Sequence, residues 1–109
     1  MPRNFKKSYQ REIKKITEQI VKKYKPEKII LFGSFAYGKP KENSDVDLLL
    51  IKKTKEKFLK RIFEVAKIIR SSLGTDTLVY TPKEWSQALK EENYFIKEIN
   101  QKGRLIYAK

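Results

Sequence analysis

Gly33-Ser34-Phe35-Ala36-Tyr37-Gly38, followed after a polar loop by Ser44-Asp45-Val46-Asp47-Leu48, is the stretch on which the reading of this chain turns. The apolar run 28–32 leads into it and stops at Gly33, which reads as a buried strand. Ser34–Gly38 reads as a short helix, closed by the turn-forming cluster Gly38-Lys39-Pro40-Lys41-Glu42-Asn43. Asp45–Ile51 reads as a second strand. Acids two residues apart on a strand project from one face, with Cα atoms roughly 6.5–7 Å apart. Leu49 and Ile51 continue that face, so the acidic pair marks one end of a strand that otherwise belongs to the core.

Two such acids repel each other, and a bound divalent cation removes the penalty. Asp45 and Asp47 are therefore candidate metal ligands. Gly33 permits close backbone approach, and Ser34 can donate to a phosphate oxygen where a strand opens into a helix. Ser44 is a further candidate phosphate contact, or else the cap of the turn before the strand. Taken singly, Asp-x-Asp reads more readily as strand-end acids paired with lysines, and Gly-Ser as an ordinary turn. Together they describe a site for a metal-chelated polyphosphate, acids for the cation and turn for the anionic tail.

Outward from this stretch, Ile13, Ile16, Ile20, Val21 and Tyr24 recur at helical spacing within 5–24, and Pro26 ends that helix. A second amphipathic helix is expected over 55–72, with Phe58, Leu59, Ile62, Phe63, Ala66 and Ile69 inward and Gly74 as its cap or turn. Asp76–Tyr80 is a third strand. Thr81-Pro82-Lys83-Glu84 carries a capping box with proline at the first helical position. That helix runs to about Gln101 with a break near Asn93, and Arg104–Ala108 forms a last strand. The alternation predicts one α/β (α+β) domain over 1–109, a mixed sheet of about four strands flanked by helices.

Composition sets outer bounds. The 109 residues include 26 Lys+Arg and 13 Asp+Glu, a formal charge of +13, with 39% hydrophobic and 12% aromatic residues. This suits one packed domain. Cysteine and histidine are absent, which excludes disulfides, thiolate or imidazole metal sites and Ser-His-Asp chemistry, and leaves oxygen ligands for any metal. No apolar run approaches the ~20 residues of a membrane-spanning helix, and no apolar signal core follows the basic N-terminus. The chain is expected to stay in the cytoplasm and off membranes. The positive charge fits either a nucleic-acid or polyphosphate binder or a Lys/Glu/Ile-rich, thermophile-like surface.

The Gly33-Ser34…Asp45-Val46-Asp47 pattern resembles the signature of the DNA polymerase β-like nucleotidyltransferase superfamily. The short chain, Asp76-Thr77-Leu78-Val79-Tyr80-Thr81-Pro82 and the stretch Ile99 to Tyr107 resemble its minimal nucleotidyltransferase (MNT) group in particular. The resemblance implies that Asp45 and Asp47 hold metal, that Gly33 and Ser34 grip the triphosphate, and that Asp76 is the third carboxylate. Asp76 would complete the metal site and help deprotonate the acceptor hydroxyl. With all three acids present, the resemblance is to active members. It further implies magnesium, with two ions, and ATP as substrate: an acceptor oxygen attacks the α-phosphorus in line and pyrophosphate leaves.

So short a chain leaves little room for acceptor recognition, so a partner is expected to bring the acceptor. Small MNT proteins resemble the antitoxin half of toxin–antitoxin pairs whose toxin is a HEPN-domain ribonuclease. In that setting the protein transfers AMP to a tyrosine of the toxin and also binds it. A non-catalytic antitoxin acting by complex formation stays open as an alternative, as does a stand-alone transferase modifying a small molecule or an RNA end. Trp85, Tyr94 and Phe95 read either as core or as a base-stacking surface, and Lys52, Lys53, Lys55 and Lys57 either as solvated surface or as steering charges for a triphosphate.

Overall fold

The computed structural model describes residues 5–109. Its elements are α1 (Phe5–Tyr24), β1 (Lys28–Phe32), α2 (Ser34–Tyr37), β2 (Val46–Ile51), α3 (Phe58–Ile68), β3 (Thr75–Tyr80), α4 (Pro82–Lys90), α5 (Tyr94–Lys102) and β4 (Arg104–Ala108). The strands form one mixed sheet in the order β3-β2-β1-β4. β1 runs antiparallel to β2 and β4, whereas β2 and β3 are parallel and need the crossover that α3 provides. The mixed, helix-flanked sheet is the one the sequence predicts.

Period-2 alternation divides the strand side chains between two helical layers. Ile29, Leu31, Val46, Leu48, Leu50 and Val79 pack with Ile16 and Ile20 of α1, Phe35 of α2 and Val65 of α3. Ile30, Leu49, Ile51, Leu78 and Tyr80 face the other way, onto Ala88 of α4 and Ile96 and Ile99 of α5. A central strand covered on both faces has no polar side to show, which is why Leu48-Leu49-Leu50-Ile51 reads as a continuous apolar run. Each such buried side chain contributes about 1.5–3 kcal/mol over its exposed state.

Local signals set the ends of most elements. Lys25, at φ 56°, and buried Pro26 stop α1. Thr81 caps α4 by accepting from the Glu84 N–H at 3.1 Å, while Glu84 Oε1 accepts from the Thr81 N–H at 2.8 Å. Glu92, at φ 56°, breaks the chain before Asn93, whose Oδ1 accepts from the Ile96 N–H and caps α5.

Helix α3 departs from expectation in length and in phase. It is shorter than 55–72 because neighbours compete for its ends. Thr54 Oγ1 accepts from the Glu56 N–H in a local turn. Beyond Ile68, Gln19 exchanges two 2.9 Å hydrogen bonds with the Arg70 backbone, and Glu12 accepts from the Ser71 hydroxyl and Ser72 N–H. The buried residues of α3 are Arg61 and Val65. Leu59 and Phe63, expected inward, are 66% and 63% exposed. Periodicity treats arginine as surface, yet the Arg61 guanidinium is buried against the Glu56 and Val79 carbonyls and the Glu84 carboxylate, 2.7 Å away. That pairing turns the apolar stripe of α3 outward.

Candidate active site

Three strands deliver the site. Asp47, the second residue of β2, stands opposite Phe32 at the end of β1 and opposite Asp76 near the start of β3. Neighbouring strands lie ~4.8 Å apart, so Asp76, Asp47 and Phe32 form a row across one end of the sheet. Asp47 has the parity of Leu49 and Ile51, and Asp76 that of Leu78 and Tyr80, so both stand at the edge of the α4–α5 side. Asp45 lies one residue before β2, which begins at Val46 rather than Asp45; the Val46 N–H donates to the Gly74 carbonyl at 2.8 Å.

Two glycines make room for two of the carboxylates. Gly33 has φ 74° and ψ −156°, a conformation open to glycine, and its carbonyl accepts from the Ala36 and Tyr37 N–H groups. A Cβ on Gly33 would collide with Oδ2 of Asp47, and a Cβ on Gly74 with Oδ1 of Asp45. Asp45 and Asp47 therefore pack directly over bare backbone, Asp47 beside the turn that opens α2 with Ser34. Gly74 was legible only as a turn; a glycine just before the strand bearing the third acid is the signal that marks it.

Burial pushes the Asp47 carboxyl above the ordinary carboxylate range, and the charges of Asp76 and Asp45 add to the shift. The three acids are thus near enough to influence one another. They are not drawn to a point: among the described residues no three acids form a group close enough to hold a metal ion as they stand. Mutual repulsion opposes closure, and Asp45 and Asp76 turn toward solvent, with Asp47 half-buried between them. All-oxygen, anionic donors on adjacent strands have the chemistry a hard divalent cation takes. Asp45, Asp47 and Asp76 are the residues that would hold such a cation.

The other sequence candidates separate. Ser34 opens α2 beside Gly33. The Ser44 hydroxyl oxygen accepts from the Lys41 N–H at 2.8 Å and closes the turn before β2. Phe32 meets Phe95 edge-on, ring centroids 5.7 Å apart, which sets Phe95 beside the end of β1, while Tyr94 is 79% exposed. Trp85 lines a cavity of about 280 Å³ with Lys28, Ile51 and Leu105, at the opposite end of the sheet. Lys52 and the lysines after it follow that same far end of β2. Lys52 donates to the Tyr24 carbonyl and lies 4.1 Å over the Tyr24 ring, packing α1 rather than facing the acids.

The family model described as "Polymerase beta, Nucleotidyltransferase" matches residues 14–109. No curated protein matches. A crystal structure from Sulfolobus solfataricus, provisionally described as a nucleotidyltransferase, superposes with a TM-score of 0.68. It is 20% identical, over 95% of this chain and 84% of that one, a likeness of fold.

Proposed function

The chain belongs to the polymerase beta nucleotidyltransferase family, and we propose that it transfers AMP from ATP, with magnesium, to a hydroxyl carried by a protein partner. The observation that carries this reading is the Asp47–Asp76 pairing beside Gly33. It sets two acids next to a backbone turn suited to phosphate, with Asp45 at their edge.

In this reading Gly33 and Ser34 receive the triphosphate and fix its orientation. Asp45, Asp47 and Asp76 would hold magnesium, which when bound would supply neutralisation of the phosphate charge. Asp76, exposed at the edge strand, is open to the incoming hydroxyl and accepts its proton. The acceptor oxygen bonds to the α-phosphorus, the bond from that phosphorus to the bridging oxygen breaks, and pyrophosphate carries away the electron pair. The favoured acceptor is a tyrosine of a HEPN-type ribonuclease, for which this protein serves as antitoxin. The resemblance of the sequence to small MNT proteins supports that choice.

The test is incubation of the purified chain with the product of the adjacent gene, ATP and magnesium. One adenylate added to the partner is expected, and an unmodified partner would overturn the transfer. A second reading, neutralisation by binding alone, draws support from the open arrangement of the three acids. The Asp45→Asn/Asp47→Asn double variant separates the two, since under that reading it still protects cells.

A further inference from the structure

Among the described residues, α3 presents an outward apolar stripe that neither side of the core absorbs. Leu59 and Phe63 lie one turn apart on the helix and are 66% and 63% exposed. Ala66, exposed, extends the line by a further turn, and Phe58, 38% exposed, joins it to the edge strand by meeting Tyr80 edge-on at 5.8 Å. Because α3 leads directly back to the start of β3, this stripe runs from the Tyr80 end of that strand toward the Asp76 end. Two large apolar side chains so exposed on one helical line, in a sequence that is 36% charged, are unusual for a free surface.

The rim of the stripe is basic. Lys57, Lys60 and Lys67 are exposed along α3, with Lys55 before it and Arg70 after it. The acid within the helix, Glu64, is half-buried, and Glu56 already pairs with Lys60 at 2.8 Å. A second copy of the chain would bring the same lysines against these, within a molecule of net charge +13. A partner that covers Leu59 and Phe63 must carry the opposite charge around its own apolar residues.

We propose that the Leu59–Phe63–Ala66 face of α3 docks an acidic amphipathic helix of another protein. The helix lays its apolar side chains along the stripe and its carboxylates against Lys57 and Lys67. The face supplies the partner-binding half of the proposed function, yet it does not depend on the transfer chemistry. It also sits on the crossover beside the strand that carries Asp76.

The experiment places a photo-crosslinking phenylalanine analogue at position 63 of the full chain in its native host, with exposed Ser86 as the control position. The crosslinked peptide is sequenced, and the protein it comes from is purified and titrated. Expected are an acidic, helically patterned segment and a dissociation constant raised at least tenfold by Phe63→Ala. Lys57→Glu/Lys67→Glu should raise it comparably, and added salt should weaken binding. The Asp45→Asn/Asp47→Asn variant should bind normally, so failure of docking and failure of catalysis are read apart. Circular dichroism confirms that each variant is folded. A second copy of this chain at the crosslink, a neutral or basic segment, an RNA, or no excess over Ser86 would each overturn the proposal.

Discussion

Asp47 and Asp76 stand directly opposite each other in the parallel β2–β3 ladder. Like charges in register are ordinarily selected against in a sheet, because each raises the cost of ionising the other. Asp47 also sits half-buried between the strands and has its proton affinity raised by that burial. The fold carries this penalty at one end of an otherwise apolar strand, the pattern of a site whose ligand offsets the charge.

Asp47→Asn should therefore separate stability from function. Removing the half-buried charge should leave the melting temperature of the ligand-free chain unchanged or raise it by about 1–4 °C, as when a strained functional group is relieved. Magnesium-dependent nucleotide binding should be lost in the same variant. Calorimetry and nucleotide titration on one preparation check both halves.

The two glycines should respond differently to alanine. Gly33→Ala places a side chain at φ 74° and into Asp47, so it should cost about 1–3 kcal/mol and abolish nucleotide binding. Gly74→Ala carries no such backbone strain and meets the free end of the Asp45 carboxylate. Its stability should stay within about 0.5 kcal/mol of wild type while transfer falls, because Asp45 must swing aside. Urea unfolding of the two variants distinguishes these outcomes.

Arg61 ties the crossover helix to α4 across the edge strand, through the Glu84 carboxylate and two backbone carbonyls. Arg61→Ala leaves the buried Val79 carbonyl unpaired, while the 44%-exposed Glu84 carboxylate is rehydrated, and should cost roughly 1–3 kcal/mol. Hydrogen bonding by Arg61 holds the Glu84 carboxyl below the ordinary range, with the Thr81 N–H assisting. A carboxyl more acidic in the folded state binds fewer protons there than when unfolded. Its stabilising effect is thus fully present above the ordinary glutamate pKa and fades as pH falls through the lowered value. Glu84→Gln should flatten the acid limb of the stability profile, measured by denaturation between neutral pH and pH 3.

The phase of α3 is checked by a pair of truncations. Val65→Ala, at a fully buried position, should destabilise by about 1–3 kcal/mol, whereas Phe63→Ala should change stability by less than about 0.5 kcal/mol. The opposite order would place Phe63 in the core.

The strands and the Gly33…Asp45-x-Asp47 pattern were legible because their causes are local: β-branched runs stopped by Gly33, acids spaced by two before Leu48, a capping box at Thr81. Family likeness, rather than spacing, pointed to Asp76, since nothing in the sequence shows that β3 lies parallel to β2 in the register that meets Asp47. The inner face of α3 was misread for a related reason. Burial of Arg61 depends on Glu84 and Val79, partners distant in sequence, so no periodicity could rank it above Leu59 and Phe63. Likewise, the shortening of α3 rests on Gln19 and Glu12 from another helix. Trp85 and Lys52 were placed at the wrong end of the sheet for a nucleotide role by topology alone.

Calorimetric titration of ATP into the purified chain, with and without magnesium, addresses the nucleotide site most directly. Binding that requires the metal, and that disappears in Asp45→Asn/Asp47→Asn while the fold persists, is the expected result. Equal heats with and without magnesium, or a double variant that binds as wild type does, would contradict the assignment of these acids to a metal–nucleotide site.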